Sequence, residues 1–336
     1  MRRATSLVRA AVVCLALVVC ASSAEAYLQF IVPLRGIPTV LKWKRMPVRW
    51  FATDASASGV PAAALQATAA HAFSSWESVP TASISFAYVG FTGASPFADD
   101  GLSVIGFANE PDEDRTLAAT GFTIDTLTGE IVESDIFVNS AFLWSTASAG
   151  DPARYDLESV LVHEIGHFLG LDHSLVGETE LLGPDARRVL ASGSVMFPIA
   201  FGRGNTADRA LQPDDIAGVS SLYPDGSFTS ATGTVRGHVQ KNGRGVFGAH
   251  IVAFNVQTGT LIGGFTLNTS GEYEIMGLSP GPYVIRVEPL DDASIESFFI
   301  ASDPVDANFS VTYADRLIIV GAGGVTSSVD ITVRAK

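Results

Sequence analysis

Three of the chain's six histidines, His163, His167 and His173, fall within the stretch HEIGHFLGLDHS, and Glu164 follows the first. On a helix, His163 and His167 stand four residues apart on one face, where one metal ion can take both. A helix cannot bring a third ligand back to that ion, but Gly170 allows a sharp turn that delivers His173. Three neutral imidazoles leave one position of a tetrahedral Zn²⁺ open to water, the layout of a catalytic site and not of a closed structural one. Glu164 stands where it can take that water's proton and pass it to a leaving amine, so the pattern points to peptide hydrolysis without a covalent enzyme intermediate.

Two further segments follow in order, Ser194 to Pro198 (SVMFP) and Leu211 to Pro224 (LQPDDIAGVSSLYP). With HEIGHFLGLDHS they resemble the metzincin metallopeptidases, and within them the matrixin group, which carries a serine after the third histidine. The resemblance covers about residues 43 to 224, roughly half the chain. It implies an α+β catalytic domain with a mixed five-stranded sheet and three helices. It also implies one catalytic Zn²⁺ on His163, His167 and His173, with Glu164 as the catalytic base and Met196 as an apolar floor under the histidines. Some metzincins add a tyrosine ligand two residues after the methionine; here that position is Pro198, so three histidines form the whole set. Ala200 stands where matrixins commonly have the tyrosine of their specificity pocket, with Phe201 a candidate for the missing wall, so no substrate preference is carried over. Asp214 and Asp215 match the paired aspartates that open the matrixin closing helix, where helix N-terminal charge accounts for them.

The elements that must position these residues can be read from period and punctuation. Trp43 to Thr53 alternates as a first strand, and Pro61 opens a helix whose stripe is Leu65, Ala69, Ala72, Phe73 and Trp76. Ile84 to Tyr88, Leu102 to Ala108, Leu117 to Ile124 and Glu130 to Asn139 read as strands, and Asp156 can cap the helix of the histidines. Leu175 to Gly193 has no clear period and is expected to be a loop. Residues 225–233 are rich in Ser, Thr and Gly and read as a linker. Beyond it, residues 234–336 show short strands between turns at sandwich spacing, similar to the carboxypeptidase regulatory-like (transthyretin-like) β-sandwich, an all-β second domain.

Ahead of these domains, Arg2, Arg3 and Arg9 precede an apolar run from Ala10 to Ala21, and Ala24-Glu25-Ala26 fits a cleavage site. Residues 1–26 therefore read as a signal peptide, with residues 27–42 a short segment before the domain at 43–224. The apolar run falls short of the roughly twenty residues needed to span a bilayer, so no stable membrane insertion is expected after cleavage. Both cysteines, Cys14 and Cys20, lie in the signal, which leaves no thiol and no disulfide in the mature chain and no cysteine to block the zinc. Losing three arginines and Glu25 takes the net charge from −14 to −16, which argues against nucleic-acid partners.

The acidic residues Asp99, Asp100, Asp112, Glu113, Asp114, Glu133 and Asp135 offer oxygen ligands of the kind Ca²⁺ takes, and solvated acidic loops account for them equally. The reading that emerges is a zinc metalloendopeptidase acting on protein or peptide substrates, secreted to the extracellular space or a bacterial periplasm, with a monomer assumed. The alternative is a secreted binding or adhesion protein whose peptidase-like domain no longer turns over substrate. Glu164 separates the two, because a non-catalytic descendant needs the ligands but not the base.

Overall fold

Alternating apolar residues build the sheet that carries the site, and two helical stripes cover it. The computed structural model describes residues 29–336 apart from 114, 184–185, 201, 291–298 and 300–302; the expected signal peptide, Asp114 and Phe201 lie outside the described residues. Strands β1 (Ile31–Leu34) and β2 (Ile37–Val40) form a hairpin through the turn Arg35-Gly36, both at positive φ. Period alone does not reveal it, because Pro33 and Pro38 interrupt both runs and face each other across the pair, which is tolerated only with no further strand to bond.

The main sheet comprises β3 (Val48–Thr53), β4 (Phe86–Thr92), β5 (Val104–Ala108), β6 (Ala118–Ile124) and β7 (Ile131–Asn139) in the order β4-β3-β5-β7-β6. Only β6 runs antiparallel to its neighbour, and it forms one edge. Helix α1 (Ala62–Glu77) follows Pro61 and buries Leu65, Ala69, Ala72, Phe73 and Trp76, the stripe read from the sequence. Its Phe73 packs on Trp50 of β3 at a ring separation of 4.8 Å, and the Trp76 indole N–H donates to Val162 O at 2.8 Å. That bond ties α1 to α2 (Leu157–Phe168), the helix of the histidines, which follows the short paired strands β8 (Trp144–Ser145) and β9 (Tyr155–Asp156).

Where a loop is expected after His173, the chain forms a two-stranded hairpin, β10 (Gly177–Gly183) and β11 (Ala186–Ser192). The strands bond only to each other, so the sequence carries no alternation toward a core. Helix α3 (Pro213–Leu222) closes the first half. The stretch read as a linker is also ordered: Asp225 accepts from the N–H groups of Ser227 and Phe228, and helix α4 (Phe228–Ala231) buries Phe228.

Among the described residues, the C-terminal half forms two five-stranded sheets around an apolar core containing Val235, Tyr273 and Ile275 from one sheet and Ile251, Ile285 and Val287 from the other. The first holds β12 (Gly233–Lys241), β13 (Arg244–Gly245), β16 (Glu272–Leu278), β20 (Val325–Thr326) and β21 (Ile331–Thr332). The second holds β14 (His250–Asn255), β15 (Leu261–Phe265), β17 (Gly281–Glu288), β18 (Thr312–Tyr313) and β19 (Ile318–Val320), with β15 at an edge. Helix α3 packs against β15 and β16, so the two halves share a seam.

A single phenol joins three segments of the first half. Tyr223, just past α3, donates to Leu169 O at 2.6 Å and accepts from Trp43 N–H at 3.0 Å. Tyr223→Phe leaves both backbone groups without this partner and is expected to cost about 1–3 kcal/mol, read as a lower denaturant midpoint of the full chain. An unchanged midpoint would mean that the phenol is not a tie.

Candidate metal centre

Helix α2 begins at Asp156, whose carboxylate accepts from Ser159 N–H at 2.8 Å and is gripped by the Arg209 guanidinium. This cap fixes the helix start, and Leu157, Leu161, Ile165 and Phe168 are fully buried. The helix ends in a Schellman turn: Leu171 N–H donates to Gly166 O and Gly170 N–H to His167 O, with Gly170 at φ +100°. A β-carbon at Gly170 would run into Leu41 O, so the turn needs glycine both for its angle and for its space.

The turn brings His173 back over the helix. The rings of His163 and His167 lie 4.7 Å apart, His167 and His173 4.7 Å, and His163 and His173 5.4 Å. Among the described residues these three form the one group of three or more metal-ligating side chains that converge. His163 Nδ1 faces Val195 O at 2.7 Å and His167 Nδ1 faces Leu171 O at 2.8 Å. A proton on each Nδ1 satisfies those carbonyls and leaves each Nε2 as a lone-pair donor to a metal. His167 Nε2 stands 3.2 Å from His173 Nε2, close to the roughly 3.3 Å between nitrogens that share a tetrahedral zinc at about 2.0–2.1 Å. The donor set therefore fits zinc. Burial, with help from His163, pushes His167 down to about 3, and burial lowers His163 and His173 as well, so all three rings are held neutral.

Glu164 follows His163 on α2 and is 5% exposed. Its Oε2 accepts from the Thr120 hydroxyl at 2.6 Å, and burial raises the carboxyl to about 7 against the opposing pull of that bond. Thr120, on edge strand β6, was not singled out by the sequence; the available signal was a polar residue on the inward face between Ala118 and Phe122.

Met196 is fully buried with its sulfur against Gly166, the residue before His167, where a β-carbon would collide with it. Asp215, fully buried, accepts from Ser194 Oγ at 2.6 Å and Val195 N–H at 2.9 Å, and it also accepts from Gln212 N–H to cap α3. Asp214 accepts from Ser174 Oγ at 2.5 Å. Both carboxyls are raised by burial. Helix N-terminal charge is thus only part of their role: they clamp the segment Ser194 to Met196 and the segment that follows His173. Ala200 is exposed.

The family model described as Matrixin matches residues 42–224, more than half of the chain. Among curated proteins, the chain is 32% identical over 148 residues to the metalloendoproteinase 2-MMP of Arabidopsis thaliana, covering 44% of this chain and 31% of that protein. It is 41% identical over 68 residues to the metalloendoproteinase 5-MMP of the same plant, covering 20% of this chain and 14% of the relative. The chain thus spans less than a third of the length of these relatives.

The acidic residues near β7 have protein partners. Asp135 accepts from Phe97 N–H and Val104 N–H, each at 2.7 Å, and Glu133 accepts from Gly101 N–H at 2.5 Å. They staple the loop between β4 and β5 to β7, and nothing in this arrangement supports calcium. Burial raises Asp135 from 3.8 to about 7. The folded chain then binds a proton there that the unfolded chain has released, so Asp135 favours folding below about pH 4 and loses that contribution as pH rises through about 7. Asp135→Asn is expected to flatten stability against pH across that window, apart from a constant offset for the altered bonds. Parallel curves for the two proteins in denaturant midpoint against pH would contradict this.

Proposed function

The chain belongs to the matrixin family, and from that premise we propose that it is a secreted zinc-dependent endopeptidase acting on proteins or peptides. The observation that carries the reading is the convergence of three neutral imidazoles, with a buried carboxyl next to His163 in the chain that lies outside the converging group. His163, His167 and His173 would hold the metal, which supplies Lewis-acid activation of a water and of the scissile carbonyl. Glu164, raised to about 7, can take a proton from the attacking water near neutral pH and return it to the leaving amine. Thr120 holds that carboxyl in place from β6. As an edge strand, β6 can also take an extended peptide alongside it by main-chain hydrogen bonds, which would lay a substrate past Glu164.

The domain reading is part of the proposal: a signal at 1–26, a peptidase at 43–224 and a carboxypeptidase regulatory-like sandwich at 234–336. Two five-stranded sheets around one core support the last. Export is supported by the sequence of residues 1–26; among the described residues no helix is long and apolar enough to cross a membrane. Against a non-catalytic binding protein stands Glu164 itself, buried and hydrogen-bonded to Thr120 although it is not needed to hold metal.

Cleavage of a mixed peptide library by the chain from Tyr27 onward is expected to stop with a zinc chelator and to return with zinc. Glu164→Gln is expected to keep zinc and lose hydrolysis by about a hundredfold or more, whereas His167→Ala loses both. Full activity of a zinc-loaded Glu164→Gln protein would sink the assignment of the base. No cleavage by a zinc-loaded wild-type chain would favour the binding protein.

A further inference from the structure

The segment that carries the third histidine runs straight into the seam between the two halves. Ser174 Oγ donates to Asp214 Oδ2 at 2.5 Å, and the other oxygen of the same carboxylate, Oδ1, accepts from Gly263 N–H at 2.7 Å. Gly263 lies on β15, the edge strand of the second C-terminal sheet, so this N–H points away from its own sheet and toward α3. Leu175 packs against the C-terminal cluster of Phe247, Phe265, Leu267, Leu290 and Phe299. Val176 sits over Gly263, where a β-carbon would come within 2.6 Å of Val176 Cγ2 and 3.0 Å of His250 Nε2. One turn further along α3, a β-carbon at Gly277 would come within 2.6 Å of the Ala217 Cβ. Of the three residues after His173, Leu175 and Val176 therefore meet the C-terminal half directly, and Ser174 reaches it through Asp214.

His173 needs such support more than its two partners do. His163 and His167 are set by a capped helix, but His173 stands on a turn that leads into a hairpin bonded only to itself. A buried carboxyl group with both oxygens engaged is a fixed point, and loss of one donor leaves an unsatisfied oxygen in the seam. Groups that orient a ligand without touching the metal commonly govern affinity by about 10–100-fold.

We propose that the β15 edge is a built-in brace of the metal site, in which Gly263 is a positioning residue. Its N–H acts through Asp214 and Ser174, and its bare Cα admits Val176, together setting where His173 stands. The C-terminal half is then a working part of the metal centre and not an appendage. The inference rests on the metal-site reading above and is tested on metal binding, not on hydrolysis.

The experiment uses the full chain from Tyr27 and measures zinc affinity by chelator competition, together with the visible spectrum of the Co²⁺-loaded protein. Gly263→Ala is expected to weaken zinc by about tenfold and to shift the cobalt bands. Adding Val176→Ala removes the obstructing methyls and is expected to restore affinity to within about twofold of the Val176→Ala single variant. Wild-type affinity and spectrum in a folded Gly263→Ala protein would overturn the brace. If that variant fails to fold, Leu175→Ala, which adds no atoms, decides in its place: weakened zinc supports the brace and unchanged zinc overturns it. A wild-type chain that binds no zinc defeats the metal-site reading as well, whereas one that binds zinc as expected and cleaves nothing defeats only the peptidase.

Discussion

Neutral imidazoles forced to face one another are the constraint around which the first half is built. With its Nδ1 proton turned to Leu171 O, His167 presents a lone pair to His173 Nε2 at 3.2 Å, so a proton or a cation must lie between the two rings. Keeping that geometry requires fixing three backbones with different origins. The helix sets two of them through the Asp156 cap and the buried stripe from Leu157 to Phe168. The third depends on the turn at Gly170 and on whatever holds the chain beyond it.

Buried carboxylates do much of that holding. Asp215 gathers Ser194, Val195 and Gln212, Asp214 gathers Ser174 and Gly263, and Asp135 gathers Phe97 and Val104. Each is desolvated and each has a raised pKa, so burial of the charge outweighs the hydrogen bonds that stabilise it. What such groups provide is specificity of position: one carboxylate can bind two or three donors from distant segments, which an apolar contact cannot do with comparable direction. In a chain whose two cysteines both lie within the first 26 residues, no disulfide takes over this task later in the chain.

The sequence is most legible where one residue type has one physical use. Gly170 reads as a turn because a helix cannot return a third histidine to the ion, and the structure adds its positive φ and the approach of Leu41 O; the α1 stripe is legible because five apolar residues fall on one helical face. His163, His167 and His173 announce themselves by spacing, and the structure brings their rings together. Legibility fails where a residue's partner is remote. Nothing local marks Thr120 as the neighbour of Glu164, 44 residues away, or Gly263 as the donor to Asp214, 49 residues away. The hairpins β1–β2 and β10–β11 were missed for a different reason. Strands that bond only to each other need no alternation toward a core, so they carry no period to detect.

The seam also resolves a difficulty of the C-terminal sheets. An edge strand leaves backbone N–H groups unpaired and invites association with another chain, and β15 is such an edge. Asp214 satisfies one of these donors, while Val176 and Leu175 cover the neighbouring apolar surface. The same contacts that quiet the edge of one half therefore fix the loop of the other. The ordered stretch at α4 belongs to the same arrangement: Phe228 is buried, and a β-carbon at Gly277 would meet both Ala217 and Phe228, so α3, α4 and β16 come together at one point.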